Sequence, residues 1–193
     1  MIATTETLIS IFLGIGLAAS VGFRIFVPLF SLSLAAYFGI IPLNESWQWV
    51  GGTTALVTLG FATILEIFAY YIPWFDNLLD TIAVPLAAIA GTAVVVSTAV
   101  NLDPIVTWSL AIIAGGGTAA AVSSSTATTR AASTATTGGL ANPVISTLEV
   151  GSATALSGLA IFAPAVAIAV VVLLLGAIFF FFKKIIGLFK KSV

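Results

Sequence analysis

LLDTIAVPLAAIAGTAVVVSTAV, from Leu78 to Val100, is apolar almost throughout and carries a single charge, Asp80. At about 1.5 Å per residue, a helix of this length crosses the roughly 30 Å of a bilayer's hydrocarbon core. The stretch does not alternate apolar with polar residues, as a strand of a membrane β-barrel would. It therefore predicts a transmembrane helix, closed by Asn101, Asp103 and Pro104. Similar spans run from Gly51 to about Tyr71, from Ile105 to Val122, from Asn142–Pro143 through Ala163, and from Ala165 to Phe182.

The composition agrees. Hydrophobic residues make up 60% of the 193 and charged residues 7%, against roughly 45–50% and about 25% in an ordinary soluble domain. With a mean hydropathy of +1.23, lipid is the expected solvent. The fold expected is all-α: a polytopic transmembrane helix bundle of about six to eight membrane segments, with broken or re-entrant helices. The net charge of -1 offers no basic footprint for nucleic acid. Cysteine and histidine are both absent, which removes thiol chemistry, disulfides, the common zinc sites and imidazole acid–base steps. No phosphate-binding GxxxxGK[ST], HExxH or GxSxG pattern occurs, so neither an enzyme nor a cofactor is expected. The first residues, MIATTE, lack the positive region of a cleaved signal peptide.

The apolar region Leu8–Ile41 is too long for one crossing, at about 34 residues or roughly 51 Å as one helix. Gly22, Arg24 and Pro28 lie near its middle, so a tight hairpin or a broken helix is expected there, with Arg24 at the break. Pro42–Trp49 reads as a polar loop carrying interfacial aromatics, and Tyr70, Tyr71 and Trp74 close the next span in the same way. Pro73 and Asp76 mark the turn that follows. Ser123–Gly139, SSSTATTRAASTATTGG, has the Ser and Thr content of a linker but no Pro. Small residues let membrane helices approach closely while hydroxyls bond to backbone carbonyls, so a helix hidden inside the bundle is expected instead. The tail FFFFKKIIGLFKKSV carries four of the six positive charges, Lys183, Lys184, Lys190 and Lys191. It reads as an amphipathic segment in the interface, and the positive-inside tendency places it in the cytoplasm of a cell whose inner or plasma membrane holds the spans.

An order of features occurs twice. GIGLAASV (14–21) resembles GGGTAAAV (115–122), and a lone arginine follows each, Arg24 or Arg130. TILE (63–66) matches STLE (146–149), and PLAAIA (85–90) matches PAVAIA (164–169). This predicts an internal duplication, with repeats at 1–103 and 104–182 followed by the basic tail at 183–193. If each Gly–Arg region crosses once, the halves have opposite orientation; if each is a hairpin, they are parallel.

Charge at membrane depth costs about 2.5–3.5 kcal/mol on insertion scales, so Arg24, Glu66, Arg130 and Glu149 need partners or water. One account pairs an arginine with a glutamate in each half, purely to fix the packing. The other makes the arginines donors to an anionic group and the glutamates proton or cation sites. Ser146 and Ser157 share a helical face with Glu149, as Thr63 and Tyr70 do with Glu66. Asp76 and Asp80 share a face at i, i+4, beside Asn77. Asp76 is explained as an N-cap, whereas Asp80 lies deeper and joins the candidates. The group is too small to specify calcium or magnesium.

At YYIPWFDNLLDTIAVPLAAIAGT (70–92), AGGGTAAAVSSSTATTRAASTATTGG (114–139) and LANPVISTLE (140–149), the chain resembles the membrane family catalogued as domain of unknown function 4126. The resemblance extends from about Gly14 to about Val172. It implies a multi-span bacterial or archaeal membrane protein and brings no settled activity and no functional residues. The residues themselves favour a small-solute or ion transporter or channel. Arg24, Glu66, Asp80, Arg130, Ser146 and Glu149 would line a polar path between the two repeats, for a small ion or anionic solute. The alternative is a non-transporting scaffold or accessory subunit. The partners expected are the bilayer, and either further copies of the chain or other membrane subunits.

Overall fold

The structure, a computed structural model, describes residues 5–191, with only the backbone described for residues 73–75, 77 and 185–191. The expectations for Trp74, Asn77 and the side chains of Lys190 and Lys191 therefore lie outside the described residues. The described chain contains no strand. Its helices are α1 (Thr5–Val21), α2 (Phe26–Tyr37), α3 (Thr53–Ala69), α4 (Pro73–Thr98), α5 (Pro104–Leu110), α6 (Gly117–Thr137), α7 (Asn142–Phe162) and α8 (Pro164–Lys191). A 3-10 turn at Glu45–Gly51 precedes α3, and a π turn at Ala111–Gly116 joins α5 to α6. Four segments are long and apolar enough to cross a membrane: Leu78–Thr98, Pro104–Thr137, Asn142–Phe162 and Pro164–Lys184.

The long first apolar region resolves into a hairpin. α1 and α2, of 17 and 12 residues, are each short of the roughly 20 needed to span hydrocarbon. Ser10 Oγ accepts from Val100 N, and Asn44 N donates to Ser97 O, so the two open ends of the pair lie together beside the end of α4. Arg24, between the helices, instead touches Ser146 of α7. The chain therefore runs out along α1, turns at Gly22–Ile25 and returns along α2. The turn lies against α6: a Cβ on Gly22 would sit 2.4 Å from Val122 Cβ and 2.7 Å from Ala119 O, so only glycine allows this approach.

The core is built on small residues, as membrane packing requires. α1 lies against α4, α7 and α8, and Leu17, Ala18 and Ala19 are fully buried. α4 crosses the π turn that leads into α6 at Gly91 and Gly115, where a Cβ on either would come within 2.8 Å of the other's carbonyl oxygen. α3 is peripheral. Only Ala55 and Glu66 of it are buried, while Phe61, Ile64, Leu65 and Phe68 are exposed.

Several expectations need correction. Ser123–Thr137 is helical, but it continues the α5–α6 span and is not hidden: Thr129, Ala131, Ala132, Ala135 and Thr136 are exposed. Its hydroxyls do bond its own carbonyls, as in Thr128 Oγ1 to Ser124 O at 2.7 Å and Thr129 Oγ1 to Ser125 O at 2.9 Å. α4 begins at Pro73, so the turn is Tyr70–Ile72 and Asp76 lies within the helix. α8 runs to Lys191 without a break, so the basic end continues the last helix.

Candidate functional site

The hairpin tip gathers the charged residues of the interior. Breaking a helix at Gly22–Ile25 leaves the first N–H groups of α2 without intrahelical acceptors. Glu66 supplies them from α3: Ile25 N donates to Oε1 at 2.8 Å and Phe26 N to Oε2 at 2.9 Å. A carboxylate at this position also complements the positive end of the α2 dipole. Thr63, one turn earlier on α3, donates to Phe26 O at 3.0 Å. The Thr63–Glu66–Tyr70 stripe thus faces the tip. Glu66 bonds backbone amides there, and the pairing with Arg24 expected within the first half does not form.

Both arginines converge instead on Glu149. Nη2 of Arg24 lies 2.9 Å from Glu149 Oε2 and donates to Ser146 Oγ at 2.5 Å. Arg130 Nε donates to Glu149 Oε1 at 3.0 Å, and its Nη2 pairs with Oε2. Arg130 Nη1 pairs with Asp76, whose Oδ2 accepts from Asn142 Nδ2 at 2.9 Å. The phenol ring of Tyr70 underlies both guanidinium groups, with its centroid 3.6 Å from Arg24 Cζ and 4.5 Å from Arg130 Cζ. A ring face at these distances attracts a cation. Ser20, one turn before the tip, shares a hydrogen bond with Ser157 at 2.7 Å and donates to Ala153 O at 2.6 Å. The Ser146–Glu149–Ser157 face of α7 is therefore turned toward the hairpin, with Glu149 at its edge also meeting Arg130 of α6.

The candidates hold unequal positions. Arg24, Arg130, Ser146 and Glu149 form one buried chain. Asp80 stands at its margin, with Oδ1 3.8 Å from Arg130 Nε and its side chain 22% exposed. Glu66 is joined to the chain through the tip backbone and Tyr70. Three participants had been read otherwise from the sequence. Tyr70, expected at the interface, is buried; Asp76, expected to cap a helix, is 2% exposed and paired with Arg130. Asn142, read only as a helix start, bridges Asp76 to Thr134 Oγ1. The i, i+4 relation of Asp76 to Asp80 and the face that Tyr70 shares with Glu66 were the signals that pointed here.

Carboxylates outnumber arginines in this group. Arg24 and Arg130 face Asp76, Asp80 and Glu149, with Glu66 beyond the tip. Arg130 is saturated by carboxylates. Arg24 is 1% exposed, and its Nε and Nη1 have no hydrogen-bond partner among the described residues. No three Asp, Glu, His or Cys side chains among the described residues are arranged to hold a metal ion.

Cavities border the group on different sides. One of about 190 Å³ opens between α6 and α7, over Phe23, and is lined by Ser125, Thr126, Thr129, Glu149 and Ser152. Another, of about 140 Å³, lies at the α6–α7 turn among Tyr70, Tyr71, Asp76, Thr134 and Asn142. A third, of about 320 Å³, is an apolar recess between α3 and α4 that reaches Glu66.

Among known proteins the chain has one family relationship. The family described as Domain of unknown function (DUF4126) has a model that matches residues 11–184, and the chain belongs to that family. No curated protein and no solved structure matches the chain.

Proposed function

We propose that this DUF4126 member carries a small solute or ion across the membrane, along a polar path that passes the Arg24–Glu149–Arg130 chain. The position of Glu149 supports this reading most strongly. Its carboxylate joins both arginines and also forms part of the wall of a hydroxyl-lined crevice. A purely structural ion pair needs no such opening. A broken helix whose tip meets charged groups is also the device by which many transporters build their sites.

In this reading the hairpin contributes two short segments that enter without crossing, five further segments cross the membrane, and the tip side is cytoplasmic. The repeats at 1–103 and 104–182 draw support from the order of Gly-run, Arg, Glu and Pro that occurs twice along the chain. The competing scaffold reading draws on Arg130, whose hydrogen-bonding groups already meet carboxylates.

Because the chain has no cysteine, single thiols can distinguish the two readings. Ser125 lines the crevice and Ser146 is 0% exposed. Labelling of both Ser125→Cys and Ser146→Cys by a small polar thiol reagent in sealed membranes is the expected result, since a transport cycle must wet both. Protection of both, with Ser46→Cys in the exposed loop labelled, would overturn the transport reading and favour the scaffold.

A further inference from the structure

We infer that the cavity at the α6–α7 turn is a binding site for a small monovalent cation, with the Asp76 carboxylate and Asn142 Oδ1 among its ligands. This deepens the transport reading by giving its substrate or coupling ion a class, yet it can be tested as binding alone.

The amide of Asn142 carries the argument. Asn142 is 7% exposed and lines the cavity. Its Nδ2 donates to Asp76 Oδ2 at 2.9 Å and to Thr134 Oγ1 at 3.2 Å. These partners fix the amide's orientation, because the flipped form would set its oxygen against a carboxylate. The atom left over is an acceptor: Oδ1 has no partner among the described residues. A buried acceptor without a donor is costly, and a cation would satisfy it.

Three helix ends meet at the cavity, the negative end of α6 and the positive ends of α4 and α7, so the carboxylates decide its sign. α6 ends at this cavity, with Thr134 in its last turn and Gly138 at φ 63° beyond it. The negative end of the helix dipole is therefore presented to the cavity. C-terminal helix ends and unwound backbone are the elements that hold sodium ions or protons in many transporters. The nearby carboxylates exceed the arginines in number, so a bound cation offsets part of the excess. Arg130 opposes it, but Nη1 of Arg130 engages Oδ1 of Asp76, leaving Oδ2 toward Asn142. Oxygen donors favour a hard ion. The lack of a three-carboxylate arrangement among the described residues argues against a divalent one.

The test is thermal unfolding of the purified full chain in detergent, titrated with sodium, lithium or potassium chloride and with N-methylglucamine chloride as the ionic-strength control. Saturable stabilisation by sodium or lithium beyond the control is expected. Asn142→Ala should weaken the apparent affinity by about tenfold or more, as loss of a charge-assisted contact implies. Asn142→Asp should make stability more dependent on the cation, because it places a second carboxylate beside Asp76. If Asn142→Ala does not fold, Thr134→Val provides a second perturbation of the same wall and should also weaken binding. Equal stabilisation by sodium and N-methylglucamine would overturn the proposal, as would stabilisation by acid alone with no sodium dependence between pH 5.5 and 8. Binding without thiol labelling of the crevice would sink the transport reading and leave this one standing; the reverse outcome would do the opposite.

Discussion

Oε2 of Glu149 lies 2.9 Å from Nη2 of Arg24, tying the hairpin tip to α7 with a carboxylate that Arg130 also holds. Because the anion is shared, its removal has a direction that a simple pair would lack. Glu149→Gln leaves Arg24 buried with no carboxylate in contact, whereas Arg130 keeps Asp76 and Asp80. The expected loss of stability is about 3–5 kcal/mol, typical of a broken buried pair. Adding Arg24→Met to Glu149→Gln should restore part of it, while adding Arg130→Met should not. Equal rescue by both, read from unfolding midpoints in detergent, would contradict the shared geometry.

Glu66 acts on backbone, so its substitution should loosen the tip locally. Glu66→Gln keeps one acceptor oxygen for the two amides of Ile25 and Phe26. Losing a helix-capping bond of this kind costs about 1–2 kcal/mol. Hydrogen exchange at Ile25 and Phe26 should accelerate in Glu66→Gln while the amides of α7 stay protected. Unchanged exchange at both would show that the carboxylate does not hold the tip.

The α4–α6 crossing makes a prediction about glycine. A Cβ on Gly91 would meet Ala119 Cβ at 2.5 Å and Gly115 O at 2.8 Å, whereas one on Gly151 would meet nothing within 4 Å. Gly91→Ala should cost about 1–3 kcal/mol through overpacking. Gly151→Ala should be neutral, or stabilising by up to about 1 kcal/mol from helix propensity. Thermal unfolding of the two variants side by side is the check, and a stable Gly91→Ala protein would mean that the helices are not so close.

Three segments, α3, α4 and α5–α6, separate Ser46 from Leu140 and place the two at opposite ends of the bundle. The loop holding Ser46 joins the end of α4 through Asn44, while Leu140 is exposed in the α6–α7 turn beside Asp76 and Asn142. Single cysteines at the two sites should therefore label from opposite sides of sealed vesicles. Labelling from one side would mean that one of these three segments does not cross, α3 with its preceding 3-10 turn being the first to question.

Much of the helical plan was legible because a span is a property of one segment. The break near Gly22 and Arg24, the run Leu78–Thr98 and the limits of α7 follow from length, glycine, proline and charge within a few residues. Of the ion pairs, only Arg130–Glu149 follows from pairing an arginine with a glutamate within each half; the others were not legible in this way. Arg24 meets Glu149 because α2 turns back and brings the tip against α7, and no spacing within either helix encodes that. Tyr70 and Asp76 were assigned to the boundary by residue type. In the fold, the turn at Tyr70–Ile72 directs both inward, under Arg24 and Arg130. Asn142 gave no signal beyond its place before Pro143.

The outward side of α6 shows how a helix rich in hydroxyls can face oil. Thr136 is exposed, yet it turns its hydroxyl back onto Ala132 O in the preceding turn. The hydrogen is spent within the helix, and the γ-methyl is left as the other branch of the side chain. A scale that scores threonine by its type counts such a helix as wet. To a lipid chain it is closer to a rod of alanine and valine, able to slide, tilt or meet another helix without first shedding water.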